Sequence, residues 1–501
     1  MKKYILFCVL WIVAVESVLA QTGTPLEILS DEIALVTING KSVRKLTGNV
    51  QFKRTDGTLF ADTVYQYVQD NYLEAFGNVR LNNQDGSTIT GEKMYYYTAT
   101  KQVKIVGNVV MTNAETTLQT PALDYDMNTG TGVYTNGGVL RDANSTLTSN
   151  YGKYNRLTKI SFFKGNVHLQ SENNQLFTDS LFYHQDKKTA YFKTNTRIIS
   201  KEGTLRSDDG AYNTQTELAQ FYKRTTIEST SYFLMGDKVN YNKAKQQGNA
   251  QGNVMLVSKK DSTIITGENA FYDEKIGIAR VVGNALLKKK VEKDTLFIQA
   301  DTLLSIEKLQ EKKVIQRTLF AYHNVKIYQN DLQGICDSLT YNFLDSMICM
   351  YETPVLWNKK NQLTADTIKI QLANNEVEIL YLNNNAFIVS QDTAGNYNQV
   401  KGNRMKAHFV KNKLQKINVI GGGQSIYFAI DEKTFKLVGM NYIICSDIQL
   451  RTQDDKITEI TFIREPEGRF VPPHEIEKPD TKLKGFSWRM NERPERNYFT
   501  N

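Results

Sequence analysis

The sequence is poor in the residues that most often carry chemistry or covalent staples. Among 501 residues there are only 5 His, 4 Cys, 3 Trp and 8 Pro. His168, His184, His323, His408 and His474 are scattered without metal-ligand spacing. No nucleophile elbow, phosphate-binding loop or zinc-protease motif occurs. The chain is therefore expected not to be an enzyme and to use no cofactor. Beyond the first twenty residues three Cys remain, Cys336, Cys349 and Cys445, and an odd number cannot be fully paired within one chain. A hairpin could bring Cys336 and Cys349 together, but small buried hydrophobes are the better reading of all three. Five of the eight Pro lie at or after Pro466. What fills the rest is 27 Tyr, 23 Phe and many Val, Ile and Thr, which suit a pleated, half-buried surface.

Long apolar runs are also missing, with one exception at the start. Lys2 and Lys3 precede the apolar run Tyr4 to Val15, and Val18-Leu19-Ala20 follows. That order predicts a secretory signal peptide over residues 1–20, with Gln21 as the mature N-terminus. The run is short of the roughly 20 residues that span a bilayer. The net charge is +8, and removing Lys2, Lys3 and Glu16 leaves +7. This is mild for the length, and nucleic acid is not expected as a partner.

What the sequence has in abundance is a recurring tripeptide. Gly-Asn-Val stands at Gly48-Asn49-Val50, Gly77-Asn78-Val79, Gly107-Asn108-Val109, Gly165-Asn166-Val167 and Gly252-Asn253-Val254. Weaker copies are Gly137-Gly138-Val139, Gly283-Asn284-Ala285 and His323-Asn324-Val325. The first four intervals, counting Gly137, are 29, 30, 30 and 28 residues. A fixed period near 30 marks a repeat architecture. Between these copies an acidic residue recurs, as in Ala61-Asp62-Thr63-Val64-Tyr65, Gly91-Glu92-Lys93-Met94-Tyr95 and Ala365-Asp366-Thr367-Ile368. Polar clusters such as Asn82-Asn83-Gln84-Asp85-Gly86 separate the two kinds of run, so each unit is expected to be a β-hairpin in an antiparallel meander.

Alternation gives each strand an apolar face. Val50 and Phe52 oppose Gln51 and Lys53, and Val79 and Leu81 oppose Arg80 and Asn82. Gly weakens a strand interior and there marks a bend or a bulge. Repeated in register, it predicts a crease at the same height in every strand, with the acidic residue marking the crease on the return strand. The expected fold is all-β: an elongated antiparallel β-jellyroll (a β-taco) of about twelve hairpin repeats, up to roughly 115 Å long. Its apolar trough can be open or filled by its own side chains. The register slips between Asn284 and Asn324 and between Asp366 and Asn403, where longer hairpins are expected. The chain divides into residues 1–20, a first repeat region 21–305, a second repeat region 306–463, and a polar Pro-containing tail 464–501, ordered only in part. Asp124, Asp126, Asn128 and Gly130 imitate the start of a calcium loop, but the terminal Glu is absent and a hairpin turn is expected there, with no metal.

The tandem Gly-Asn-Val strands, alternating with Ala-Asp strands behind an export signal, resemble the OstA/LptA-like family of organic-solvent-tolerance and lipopolysaccharide-transport proteins. The resemblance covers most of residues 40 to 430. It implies a periplasmic jellyroll, open along one edge, that binds lipopolysaccharide through the lipid A acyl chains without catalysis. It also implies partners among other transport components, including the outer-membrane translocon, association with the outer membrane, and self-association by end-to-end β-stacking. The lining residues carried over are Val50, Phe52, Val79, Leu81, Val109, Met111, Val167, Leu169, Val254 and Leu256. Two alternatives remain: a structural or adhesive exported β-repeat protein with a filled core and no lipid, and a β-solenoid polysaccharide enzyme. The evenly spread acidic ladder argues against the enzyme.

Overall fold

The computed structural model describes residues 27–500, apart from 56, 202, 231, 260–261, 292–293, 311–312, 375, 411–412, 432–433, 435, 454–455 and 478–480. The expected signal peptide lies outside the described residues. Antiparallel strands dominate, as the alternation predicts. Among the described residues no helix is long and apolar enough to cross a membrane. Contacts divide the chain into two units, residues 1–165 and 166–501.

In the first unit β1 (Glu27–Leu29), β2 (Glu32–Ile38), β3 (Lys41–Arg54), β4 (Gly57–Tyr67), β5 (Tyr72–Asn83), β6 (Thr88–Tyr97), β7 (Gln102–Thr112) and β8 (Thr117–Asp126) form a meander. Each strand from β3 onward pairs with the next. β1 and β2 both pair with β3, on opposite sides of its Gly-Asn. At that point Thr47 faces Thr63 and Val50 faces Ala61, so Gly48 and Asn49 together stand opposite Asp62. This is a β-bulge, and it recurs between Phe76 and Val79 and between Val106 and Val109.

Both bulge residues are left-handed: φ is +77° and +48° at Gly48 and Asn49, and +82° and +46° at Gly107 and Asn108. Gly accepts this region freely, and Asn tolerates it better than most side chains. That explains the dipeptide. The acidic residue completes the crease from the strand before. Asn49 Nδ2 donates to Asp31, Asn78 Nδ2 to Asp62 at 2.9 Å, and Asn108 Nδ2 to Glu92 at 2.6 Å. These side chains lie on the outside, so a carboxylate–amide ladder runs along the outer edge of the fold line.

Inside, each strand buries residues on both sides of its bulge. Leu73 and Ala75 precede the bulge of β5, and Val79 and Leu81 follow it. All four belong to one apolar cluster with Leu46, Val64, Met94, Ile105 and Val109. The sheet is thus folded on itself along the bulges. At the weak copy Gly137-Gly138 only Gly137 has positive φ, and the chain breaks between strands Thr131–Tyr134 and Gly138–Arg141. A Cβ on Gly138 would fall 2.5 Å from Tyr134 Cζ, so this glycine serves packing instead.

The second unit repeats the device. Asn253 donates to Asp237 at 2.7 Å, Asn324 to Asp301 at 3.2 Å and Asn385 to Asp366 at 3.1 Å. Asn384 and Asn385 form a left-handed pair with no glycine at all. The two register slips are longer hairpins, as expected: strands Asp294–Gln310 and Lys313–Gln329 have 17 residues each, and Glu376–Gln391 has 16. Between residues 174 and 242 the crease is made differently. Most strands there are only 4–5 residues long, and buried hydroxyls occupy the breaks, with Thr196 Oγ1 2.8 Å from Thr178 Oγ1 and Thr225 Oγ1 2.9 Å from Ser207 Oγ.

Cys336 and Cys445 are buried, Cys349 is half-buried, and none is in a disulfide. The hairpin sets Cys349 opposite Thr340 and Cys336 opposite Val325, not opposite each other. Burial pushes the Cys336 thiol up to about 12, so it stays protonated. Strand β8 ends at Asp126 and residues 127–130 form a turn, with Asp126 Oδ1 accepting from the backbone of Asn128 and Thr129. The C-terminal residues depart from expectation. Strand Glu467–Val471 joins the sheet, and Leu483 and Phe499 are buried. A few apolar side chains suffice here because the sheet itself supplies their partners.

Candidate functional site: the mouth of the folded sheet

In the first unit the crease leaves two rows of hairpin turns facing each other. One row holds turns 84–86 and 113–116, on the far side of the bulges. The other holds turns 68–71, 98–101, 127–130 and 156–159. Between the rows lies a cavity of about 320 Å³. Phe52, Leu59, Leu81, Leu73, Met94 and Val103 give it an apolar floor. Arg54, Gln66, Asn71, Tyr72, Tyr96 and Thr98 give it a polar margin.

Two polar contacts span the mouth. Arg54 Nη1 donates to Tyr96 Oη at 2.6 Å, and Arg156 Nη1 donates to Asp85 Oδ2 at 3.1 Å. Tyr72 Oη donates to Glu74 at 2.7 Å. Burial first, then this carboxylate, raises the Tyr72 phenol, which therefore remains a donor at neutral pH. Burial alone would push Asp85 up, but the hydrogen bonds from Ser87 and Arg156 outweigh it and hold the carboxyl below its usual range. A depressed folded value contributes stability above the unfolded value of about 3.9, and that contribution is lost as pH falls through the folded value. Asp85→Asn should therefore lower the urea midpoint at pH 7 and match the parent protein at strongly acid pH. An equal difference at both pH values would show that the carboxylate charge does not hold the mouth.

Of the ten residues expected to line the trough, seven are buried and three are half-buried. Val50, Phe52, Val79, Leu81 and Val109 are 1–4% exposed and sit in one cluster, with Met111 partly buried against it. In the second unit Val167 and Val254 are buried, and Leu169 and Leu256 are half-buried. Only Phe52 and Leu81 also line the cavity. Arg80, between two inward residues, points out and lies 4.5 Å over the Phe60 ring. Sequence reasoning missed the side chains on the other side of the crease, such as Leu73, Met94 and Val103. Their alternation is present in the sequence, but they lie outside the run that follows each Gly-Asn. It also missed Arg54 and Tyr96, which carry no periodic signal.

No curated protein matches this chain. A family model described as OstA-like protein matches residues 26–175 and 164–237. These segments hold four of the Gly-Asn-Val copies, together with the carboxylate–amide ladder of the first unit and the mouth between its two rows of turns. Over residues 26–237 the chain is similar to the OstA-like family.

Proposed function

We propose that the chain is a periplasmic lipopolysaccharide-binding protein that carries or bridges its ligand toward the outer membrane. The acyl chains of lipid A enter the folded-sheet interior, and the sugar phosphates stay at the mouth. The supporting observation is the cavity of about 320 Å³ with an apolar floor and Arg54, Asn71 and Tyr96 at its margin. Such a site suits an amphiphile, with hydrocarbon below and hydrogen-bonding groups above. Gln66 Oε1 is buried without a hydrogen-bond partner among the described residues, and a sugar hydroxyl would satisfy it. Export by a cleaved signal peptide and delivery to an outer-membrane translocon belong to the same proposal.

Self-association by strand addition is a further part of it. β2 presents Ile33 and Leu35, 64% and 74% exposed, and such an apolar edge invites pairing. Sedimentation that does not change with protein concentration would count against it.

A filled structural core is the competing explanation, and the low exposure of Val50, Val79 and Val109 favours it. Mass spectrometry of the protein purified from its native envelope separates the two. Lipid A species should co-purify with the lipid carrier, and none with a filled core. Arg54→Ala should weaken lipopolysaccharide binding by about 10-fold or more, because a charged hydrogen bond contributes about 1.5–3 kcal/mol. It should leave binding of an uncharged acyl probe unchanged. Equal loss for both ligands would mean that Arg54 acts only through the fold.

A further inference from the structure

The second unit carries a row of buried amides that lipid binding does not explain. Cross-strand pairing aligns Phe297 with Tyr328, Tyr328 with Gln333, Gln333 with Trp357 and Trp357 with Gln362. The row continues from Gln362 to Val389, Gln399 and Ile426. Residues directly opposite in a sheet share a face, so glutamines alternate with apolar side chains along one line across the strands. Gln333, Gln362 and Gln399 are each 1% exposed. An amide buried among apolar groups costs free energy unless it is hydrogen-bonded.

The amide N–H of Gln333 is held by its own turn, donating to Asn330 O at 2.9 Å, and the C-terminal segment supplies the bonds of Gln362 and Gln399 through its backbone. Gln399 Nε2 donates to Thr481 O at 2.8 Å, and Leu483 N donates to Gln399 Oε1 at 2.9 Å. Gln362 Nε2 donates to Ser487 O at 2.7 Å, and Arg489 N donates to Gln362 Oε1 at 2.6 Å. Two side chains thus imitate the paired bonds of a β-ladder. Further along, Arg493 Nε donates to Gln333 Oε1 at 2.7 Å. Phe499 ends the track, its ring 5.5 Å from Phe297 and 5.9 Å from Tyr328. Between these anchors Phe486 and Trp488 pack on Tyr397.

We propose that this row is a polypeptide-binding groove that reads a peptide backbone through Gln362 and Gln399, and that its resident ligand is the chain's own segment 481–499. Hydrocarbon cannot satisfy the Gln362 and Gln399 amides, whereas any peptide backbone offers a carbonyl and an N–H at the required points. Gln333, Gln362 and Gln399 each stand four residues ahead of a crease residue, Asp337, Asp366 or Asn403. The groove is therefore written into the repeat itself.

The test uses the full chain with a protease site inserted at residues 478–480. After cleavage the segment should stay bound during gel filtration, and a fluorescent synthetic peptide of residues 481–501 should exchange into its place. Gln362→Leu with Gln399→Leu should weaken the peptide by at least 10-fold, while a peptide carrying Lys484→Ala, which is held there through its carbonyl oxygen, should bind as the parent does. An acyl-chain probe should not displace the peptide. Loss of the segment on cleavage with no rebinding would overturn the proposal, as would equal peptide affinity in the double variant or displacement by the acyl probe. Uncut chains that form dimers with exchanged segments would overturn the intrachain assignment. None of these outcomes depends on whether the first unit binds lipid.

Discussion

Gly107→Ala should destabilise the first unit by about 2–4 kcal/mol, whereas Gly86→Ala should cost only about 1 kcal/mol. Both glycines are left-handed, at φ +82° and +81°, so both substitutions carry the same backbone penalty. They differ in surroundings. A Cβ on Gly86 meets nothing within 4 Å, but on Gly107 it falls 2.5 Å from Glu92 Oε2 and 2.7 Å from Glu92 Cβ. Because Glu92 Cβ is tied to the strand, the side chain cannot simply swing away. Its bond from Asn108 Nδ2, 2.6 Å long, would be lost as well. Urea unfolding followed by tyrosine fluorescence measures the difference. Equal effects at the two positions would mean that the acidic ladder does not shape the crease.

Ile105→Asp should be the most damaging substitution considered, and Lys104→Asp among the mildest. Ile105 is fully buried and lies before the bulge of β7. Truncating such a side chain costs about 2–5 kcal/mol, and an unpaired carboxylate in its place adds desolvation. Lys104 is exposed on the same strand, where substitutions usually stay within about 0.5 kcal/mol. Thermal unfolding of the two variants tests the assignment of inside and outside on the side of the crease that sequence reasoning left unassigned.

The crease was legible because it demands an unusual residue pair. Two consecutive left-handed positions select Gly and Asn, and a period near 30 makes the pair conspicuous. Where other residues meet the demand the signal disappears. Asn384-Asn385 holds the same geometry without glycine, and its only trace is Asp366, which accepts from Asn385. Between residues 174 and 242 the crease is a strand break with buried hydroxyls, and a Thr among polar neighbours does not announce that. The mouth was not legible either. Arg54 and Tyr96 are 42 residues apart and meet only because the folded sheet brings its two rims together. The C-terminal segment misled through composition: Pro and charge predict little order, yet its backbone is held by amides located elsewhere in the chain. A Gln where the alternation calls for an apolar residue, at Gln333, Gln362 and Gln399, was the available clue.

Under the proposed function the interior of the folded sheet holds lipid. A photo-crosslinking residue placed at Leu81 or Val109, with a third variant at Arg80, tests it most directly in cells that make lipopolysaccharide. Leu81 borders the cavity, Val109 is buried in the same cluster, and Arg80 faces outward beside Leu81. Lipopolysaccharide adducts are expected at Leu81 and Val109 and none at Arg80. Adducts of equal yield on both faces, or none at either interior position in a folded protein, would contradict it.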